Sequence, residues 1–264
     1  MSAAPEVLSP SSPGDAAALF GDGSGITVVA GGTVVLPDIS YGRRSPDRVL
    51  MLFGAGLDTH SVADGAVTLG ATLPISTLVE LDTGPALAAC ALNLADYEIR
   101  GQGTVGGNLC VEPGLDAPRG DLQGPLLALD ATVRSTGAGG ERSEPIEDFL
   151  GSHDGRLVLD VSFVVPAASA FASLDYPHTH EYTVLAVTGA RTSDGTVRLA
   201  ATGLAGTGAR LRSAEAEAAD PEAAGAAALD DVTLGDDALA SAWYRAKTLP
   251  VLVRRVLGEL EESS

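Results

Sequence analysis

Residues 99–110 read Ile-Arg-Gly-Gln-Gly-Thr-Val-Gly-Gly-Asn-Leu-Cys, and nothing else in the chain joins so many conformational exceptions to so little bulk. Gly101, Gly103, Gly106 and Gly107 permit positive φ and carry no Cβ to hold a ligand away. Thr104 and Asn108 add short polar handles beside the N–H groups that such a backbone frees. A second stretch, Ala30-Gly31-Gly32-Thr33, lies between Ile26-Thr27-Val28-Val29 and Val34-Val35-Leu36, and predicts a strand–turn–strand connection. The chemistry indicated is anion capture by main-chain amides, which bind phosphate without a lysine. Taken singly, Gly-Gly pairs between β-branched runs also read as plain turns or bulges.

Other chemistries find less support. Cys90 and Cys110 form no CxxC, and two cysteines fall short of the about four ligands that a zinc site or an iron–sulfur cluster takes. Cys90 reads as a packing residue, and Cys110 borders the second glycine stretch as either a packing or a cofactor-facing thiol. His178 and His180 stand two apart without a third ligand, while His60 and His153 are isolated. No Ser/His/Asp order or defensible carboxylate pair predicts a catalytic acid, base or nucleophile.

The elements that must position the glycine stretches follow from periodicity and punctuation. Ser12 is expected to cap a short helix over 16–20, ahead of the strand at 26–29. A strand at 48–53 and a hairpin over 60–69, turned at Asp64-Gly65, come next. Ser76 then caps a helix, and the nearly continuous apolar run 85–96 predicts a buried helix leading straight into Ile99. Beyond an irregular excursion at 112–120 come a helix at 126–129 and strands at 131–136 and 155–166. A small-residue linker is expected at 167–170, dividing the chain into units 1–167 and 168–264. The second unit offers strands at 182–188 and 196–202, a glycine-rich return at 203–210, and helices over 213–229 and from 236 onward. Its acidic 213–231 region reads as a solvated helix face, and Pro250 should kink or restart the last helix.

The 264 residues carry 35 acidic against 16 basic side chains, a formal charge of −19. That field repels nucleic-acid backbones and anionic membrane surfaces, so neither is expected as a partner. No window approaches the roughly 20 apolar residues of a bilayer helix. Residues 1–12 lack the features of a signal peptide, and a cytoplasmic setting is the expectation.

The order, separation and flanks of the two glycine stretches resemble the FAD-binding subunit or domain of the xanthine dehydrogenase, aldehyde oxidase and carbon monoxide dehydrogenase family of molybdenum hydroxylases. The resemblance covers nearly the whole chain. The family's "AGGT" turn and following apolar pair stand here at 30–36, and its "IRNxGTxGGNL" segment at 99–109. Further likenesses are "IGATTP" at 67–74, "SDLPPALLALDA" near 121–131, "DFF" near 148–150 and "SAxYR…VLxxRAL" over 241–257. What this implies is an α+β fold: a two-part FAD-binding domain of the PCMH (vanillyl-alcohol oxidase-like) type, then a smaller domain with a three-stranded sheet and a helical bundle.

The implied FAD contacts are Ala30, Gly31, Gly32, Thr33, Val34, Val35 and Leu36 from the first stretch, and Thr104, Val105, Gly106, Gly107 and Asn108 from the second. By the same resemblance Asp121 meets the flavin nucleotide, with Asp116 as a rival because the loop here is longer. Molybdopterin and [2Fe-2S] clusters are expected on partners, a molybdopterin-binding subunit and an iron–sulfur subunit. The implied activity is that of an oxidoreductase flavoprotein subunit, passing electrons from the partner's clusters to an outside acceptor. A flavin-free scaffold subunit and a stand-alone flavoenzyme are the alternatives at this point.

Overall fold

Short apolar runs punctuated by glycine turns build sheets one after another along the chain. In the computed structural model, residues 4–111, 120–175 and 182–263 are described. The first sheet holds β1 (Glu6–Leu8), β2 (Ile26–Val29) and β3 (Arg48–Met51), parallel and in the order β1-β3-β2. Parallel neighbours need crossovers. The first is α1 (Pro13–Phe20), with Pro13 in its first turn and Ser12 Oγ accepting the Asp15 N–H at 3.1 Å, the cap expected from the sequence.

The second crossover corrects the reading of 34–36 as a strand, because Val35–Ser40 forms helix α2. Gly32, at φ 75°, reverses the chain, and its carbonyl accepts the Leu36 N–H at 3.1 Å. The requirement of a parallel β2–β3 pair overrides the local β preference of Val34 and Val35.

The second sheet is antiparallel, with β4 (His60–Ala63), β5 (Ala66–Gly70), β6 (Thr132–Gly137), β7 (Arg142–Pro145) and β8 (Arg156–Val164) in the order β4-β5-β8-β6-β7. Asp64 and Gly65, at φ 52° and 76°, make the expected tight hairpin turn. Against this sheet pack α3 (Pro85–Asn93), α5 (Val105–Leu109), α6 (Gln123–Ala128) and α7 (Ile146–Gly151), closing a core that includes Leu69, Leu87, Leu127, Phe149 and Val161, while α4 (Tyr97–Gln102), which buries no residue, lies against the segment 75–79. Pro74, rather than Ser76, precedes a single 3-10 turn at Ile75–Val79.

The buried helix stops at Asn93, short of the expected 96. Ala95 takes φ 47°, and Arg100 Nη1 donates to the carbonyls of Leu92, Leu94 and Ala95 at 3.3, 3.0 and 2.7 Å. The second glycine stretch is thus two short helices, where a loop was expected.

The third sheet, β9 (Ala168–Asp175), β10 (Thr183–Arg191), β11 (Val197–Thr202) and β12 (Ala209–Arg210), runs antiparallel as β12-β11-β10-β9, three long strands and a two-residue fourth. The expected linker at 167–170 is mostly β9, whose small residues form a buried face and whose Ser169 Oγ accepts the Ala86 N–H at 3.2 Å. Helices α8 (Arg212–Ala216), α9 (Pro221–Ala227) and α10 (Ala242–Glu262) cover this sheet around Leu185, Leu199, Leu249, Val253 and Leu257.

Helix α10 passes through Pro250 without a restart. A Cβ at Gly225 would stand 2.9 Å from the Pro250 carbonyl, so α9 lies close against the place where the ladder is interrupted. The acidic stretch is more than a solvated face. Asp231 accepts the Ser213 and Ala214 N–H groups, and Glu215 grips Arg210 at 2.7 Å. Arg245 is wholly buried, bidentate to Asp237 at 2.8 Å and bonded to the carbonyls of Gly203, Gly235 and Ala240.

Candidate functional site

A groove of about 430 Å³ opens where the three sheets meet, within the ~300–1,000 Å³ typical of small-molecule sites. Val28 and Leu52 reach it from the first sheet, Leu157 and Val158 from the second, and Tyr182 and Thr183 from the start of β10. Of the residues selected from the sequence, Ala30, Gly31, Gly32, Thr33, Val34, Val35, Thr104, Gly106, Gly107, Asn108 and Asp121 line it. Val105 does not, being buried in the core beneath α5, and Leu36 faces solvent at 43 % exposure. Asp116, His178 and His180 lie outside the described residues.

The two glycine stretches do different things. In the first, the N–H groups of Gly31, Gly32, Thr33 and Val34 have no acceptor among the described residues, so this turn presents amides to the groove. In the second, the donors are engaged: Val105 N–H to Leu73 O at 3.0 Å, Gly106 N–H to Ala71 O at 2.8 Å, and Gly107 N–H to Thr104 Oγ1 at 3.2 Å. The expectation of freed amides beside Thr104 and Asn108 is therefore corrected. None of Gly101, Gly103, Gly106 and Gly107 has positive φ. Gly103, Gly106 and Gly107 are needed for closeness, since a Cβ on each would meet Ile99 O at 3.0 Å, Ala71 at 3.0 Å and Thr104 Oγ1 at 2.7 Å, whereas one on Gly101 meets nothing within 4 Å. Gly31 has a related task, its Cβ position standing 2.0 Å from the Gln102 carbonyl oxygen, where one glycine stretch lies on the other.

Electrostatics at the groove follow the same logic. Arg156 is the basic side chain among its described lining residues, and four hydrogen bonds commit it to Ser135, Ala138 and Gly140 in the β6–β7 region. Asp96 Oδ1 is occupied capping α4 at the Ile99 N–H, 2.7 Å away. Cys110 lines the groove with its thiol pushed up to about 12 by desolvation, and burial, then the charge of Asp121, raises Cys90 as well. Both remain thiols at neutral pH and offer no nucleophile. Among the described residues no three His, Cys, Asp or Glu side chains gather as a metal site, and no helix is long and apolar enough to cross a membrane.

The profile of the family described as "FAD binding domain in molybdopterin dehydrogenase" matches residues 3–165. The chain belongs to this family. Its FAD-domain relatives include the 6-hydroxypseudooxynicotine dehydrogenase complex subunit alpha of Paenarthrobacter nicotinovorans, 30 % identical over 60 % of this chain and 56 % of that protein. The carbon monoxide dehydrogenase medium chain of Hydrogenophaga pseudoflava is 31 % identical over 55 % and 51 %. The chain thus spans about half the length of the curated relatives it matches.

Solved structures agree in fold. Carbon monoxide dehydrogenase from Hydrogenophaga pseudoflava superposes with a TM-score of 0.86 at 24 % identity, over 100 % of this chain and 99 % of that one. Quinoline 2-oxidoreductase from Pseudomonas putida 86 gives 0.83 at 19 %, over 99 % of each. Beyond the FAD-domain motifs, Tyr182 and Thr183 are groove residues that sequence reasoning missed. They belong to the other half of the chain and carry no motif. Only the fold brings Thr183 Oγ1 within 3.0 Å of Asn93 Nδ2.

Proposed function

We propose that this chain is the FAD-carrying electron-transfer subunit of a molybdenum hydroxylase complex, taking electrons from iron–sulfur clusters on a partner subunit and passing them to an external acceptor. The observation that carries the reading is the amide turn at 31–34, without acceptors among the described residues, in a groove of a chain that belongs to a molybdopterin-dehydrogenase FAD-domain family. The residues fit the group. An anionic pyrophosphate needs donors; the groove's arginine is committed elsewhere, and main-chain amides supply donors without a cation.

In this reading the first turn holds the pyrophosphate, Thr104, Gly106, Gly107 and Asn108 shape the wall beside it, and the Asp121 carboxylate accepts from a nucleotide hydroxyl. When bound, FAD supplies the electron chemistry, and the chain binds and orients it. The FAD-binding unit is taken as 1–167 and the C-terminal unit as 168–264. A cluster of four protein ligands cannot be built from two cysteines, which agrees with an iron–sulfur subunit and a molybdopterin-binding subunit as partners.

Anaerobic mixing tests this. The isolated flavoprotein should keep its flavin absorbance with aldehydes or aromatic heterocycles and lose it with dithionite, and the assembled complex should lose it with its own substrate. Rapid reduction of the isolated chain by such a substrate would establish a stand-alone flavoenzyme instead. A colourless chain that takes up no FAD would establish a scaffold.

A further inference from the structure

We infer that Gln123 is a positioning residue for the groove, tying the α5 wall and the Asp121 turn to the C-terminal sheet. Gln123 is buried, at 4 % exposure. Its Nε2 donates to the Leu109 carbonyl at 3.0 Å, and its Oε1 accepts the Gly208 N–H at 2.8 Å. A carboxamide carries a donor and an acceptor on one planar head, so a single side chain joins the end of α5 to the return loop between β11 and β12.

The surroundings are cut to fit it. A Cβ on Gly120 would stand 2.4 Å from Nε2, and one on Gly208 would stand 3.0 Å from the Gln123 Cβ. The two preceding residues are held as well: Leu122 N–H donates to Asn108 Oδ1 at 2.9 Å, and Cys90 Sγ donates to the Asp121 carbonyl at 3.5 Å. Three consecutive residues are thereby anchored, and both Asp121 and Asn108 face the groove. The pattern that residues 121–131 resemble has prolines where this chain has Gln123 and Gly124, and proline has no such side chain.

The consequence is that the C-terminal sheet sets the position of the wall that carries Asn108 and Asp121. This inference rests on the groove being the FAD site, and the test separates the two. In the full chain, Gln123→Met keeps the length of the side chain and removes both bonds, while Gln123→Glu keeps an acceptor for Gly208. Hydrogen exchange is followed at 105–109 and 206–210, together with FAD titration and the visible circular dichroism of the bound flavin.

Gln123→Met should raise exchange in both segments about tenfold, leave α10 protected, weaken FAD about tenfold and alter the flavin dichroism. Gln123→Glu should raise exchange chiefly at 105–109, and it serves as the test if the methionine variant does not fold. Unchanged exchange at 105–109 overturns the inference, as does wild-type FAD affinity with an unaltered flavin spectrum. A wild-type chain that takes up no FAD overturns the cofactor reading instead, and the exchange data then decide the tie by themselves.

Discussion

Replacing Gly31 by alanine adds one methyl group at the point where the two glycine stretches touch. The new Cβ would stand 2.0 Å from the Gln102 oxygen, 2.8 Å from its carbonyl carbon and 3.1 Å from Gly103 Cα. Non-bonded heavy atoms settle near ~3.5 Å, so the two segments must part by about 1–1.5 Å. The obstacle is main chain, and it is held. Gly103 donates to Ile99 O at 2.6 Å and accepts the Ile75 N–H at 2.9 Å. Relief by a side-chain rotation is therefore closed, and an overpacking cost of about 1–3 kcal/mol is expected.

Since the separation opens the groove where the amide turn faces α5, part of that cost should appear as FAD affinity weakened about tenfold or more. Gly101→Ala is the matched control, because this glycine is helical, within α4, and a Cβ there meets nothing within 4 Å. It should gain about 0.5–1 kcal/mol of stability with FAD affinity unchanged. Thermal unfolding and fluorescence titration of the apoprotein with FAD measure both. Wild-type affinity and melting temperature in Gly31→Ala would refute the argument that closeness, rather than φ, demands this glycine.

Gly32→Val should lose FAD in a folded chain, since Gly32 holds φ 75° and a Cβ would meet Leu36 Cδ1 at 2.6 Å, whereas Gly107→Val should act through contact with Thr104 Oγ1 alone; bound flavin per chain measures each. Asp121→Ala should weaken FAD about tenfold to a hundredfold, the worth of a charge-assisted bond of ~1.5–3 kcal/mol, with Asp116→Ala as the control; loss in the control alone would reverse the assignment. Arg245→Met leaves the Asp237 carboxylate buried without its cation, at about 3–5 kcal/mol, read by denaturant unfolding. Both cysteine thiols are raised in the fold, Cys110 from 9.0 to about 12, so the unfolded chain sheds these protons first. Stability should hold below about pH 9 and fall as the pH rises toward 12; a flat melting temperature over that window in wild type, matching a variant with both cysteines replaced by alanine, counts against it.

Sequence alone reached the glycine stretches because their residue types are extreme, and it reached strands such as β5 and β8 because short β-branched and apolar runs there are bounded by turn residues. It failed where a longer-range demand decided the local state. Val34 and Val35 prefer extended backbone, yet a parallel partner for β2 forces a helix between the strands. The freed amides expected beside Thr104 are instead bonded to Leu73 and Ala71, main-chain acceptors some thirty residues away that no local pattern announces. Thr183, Gln123 and the buried Arg245 were invisible for a related reason: each is a polar residue of ordinary spacing with a partner far along the chain, Asn93, Gly208 and the Gly203 carbonyl respectively. The small residues at 167–170 looked like a linker because low bulk signals both a hinge and a strand packed tightly under helices.

Among the described residues the apolar interior falls into three clusters; the groove is lined by residues of two of them, with Tyr182 and Thr183 closing it at the start of β10. A molecule seated there touches the first two sheets and the start of β10 at once and acts as mortar between them. Its binding free energy then becomes cohesion of the whole: at a free concentration one hundred times Kd, linkage adds about 2.7 kcal/mol to the folded state. Cells that run short of the cofactor should accordingly accumulate less of this chain, through faster proteolysis of a looser form, and supply of one small molecule would set the abundance of the chain as well as its colour.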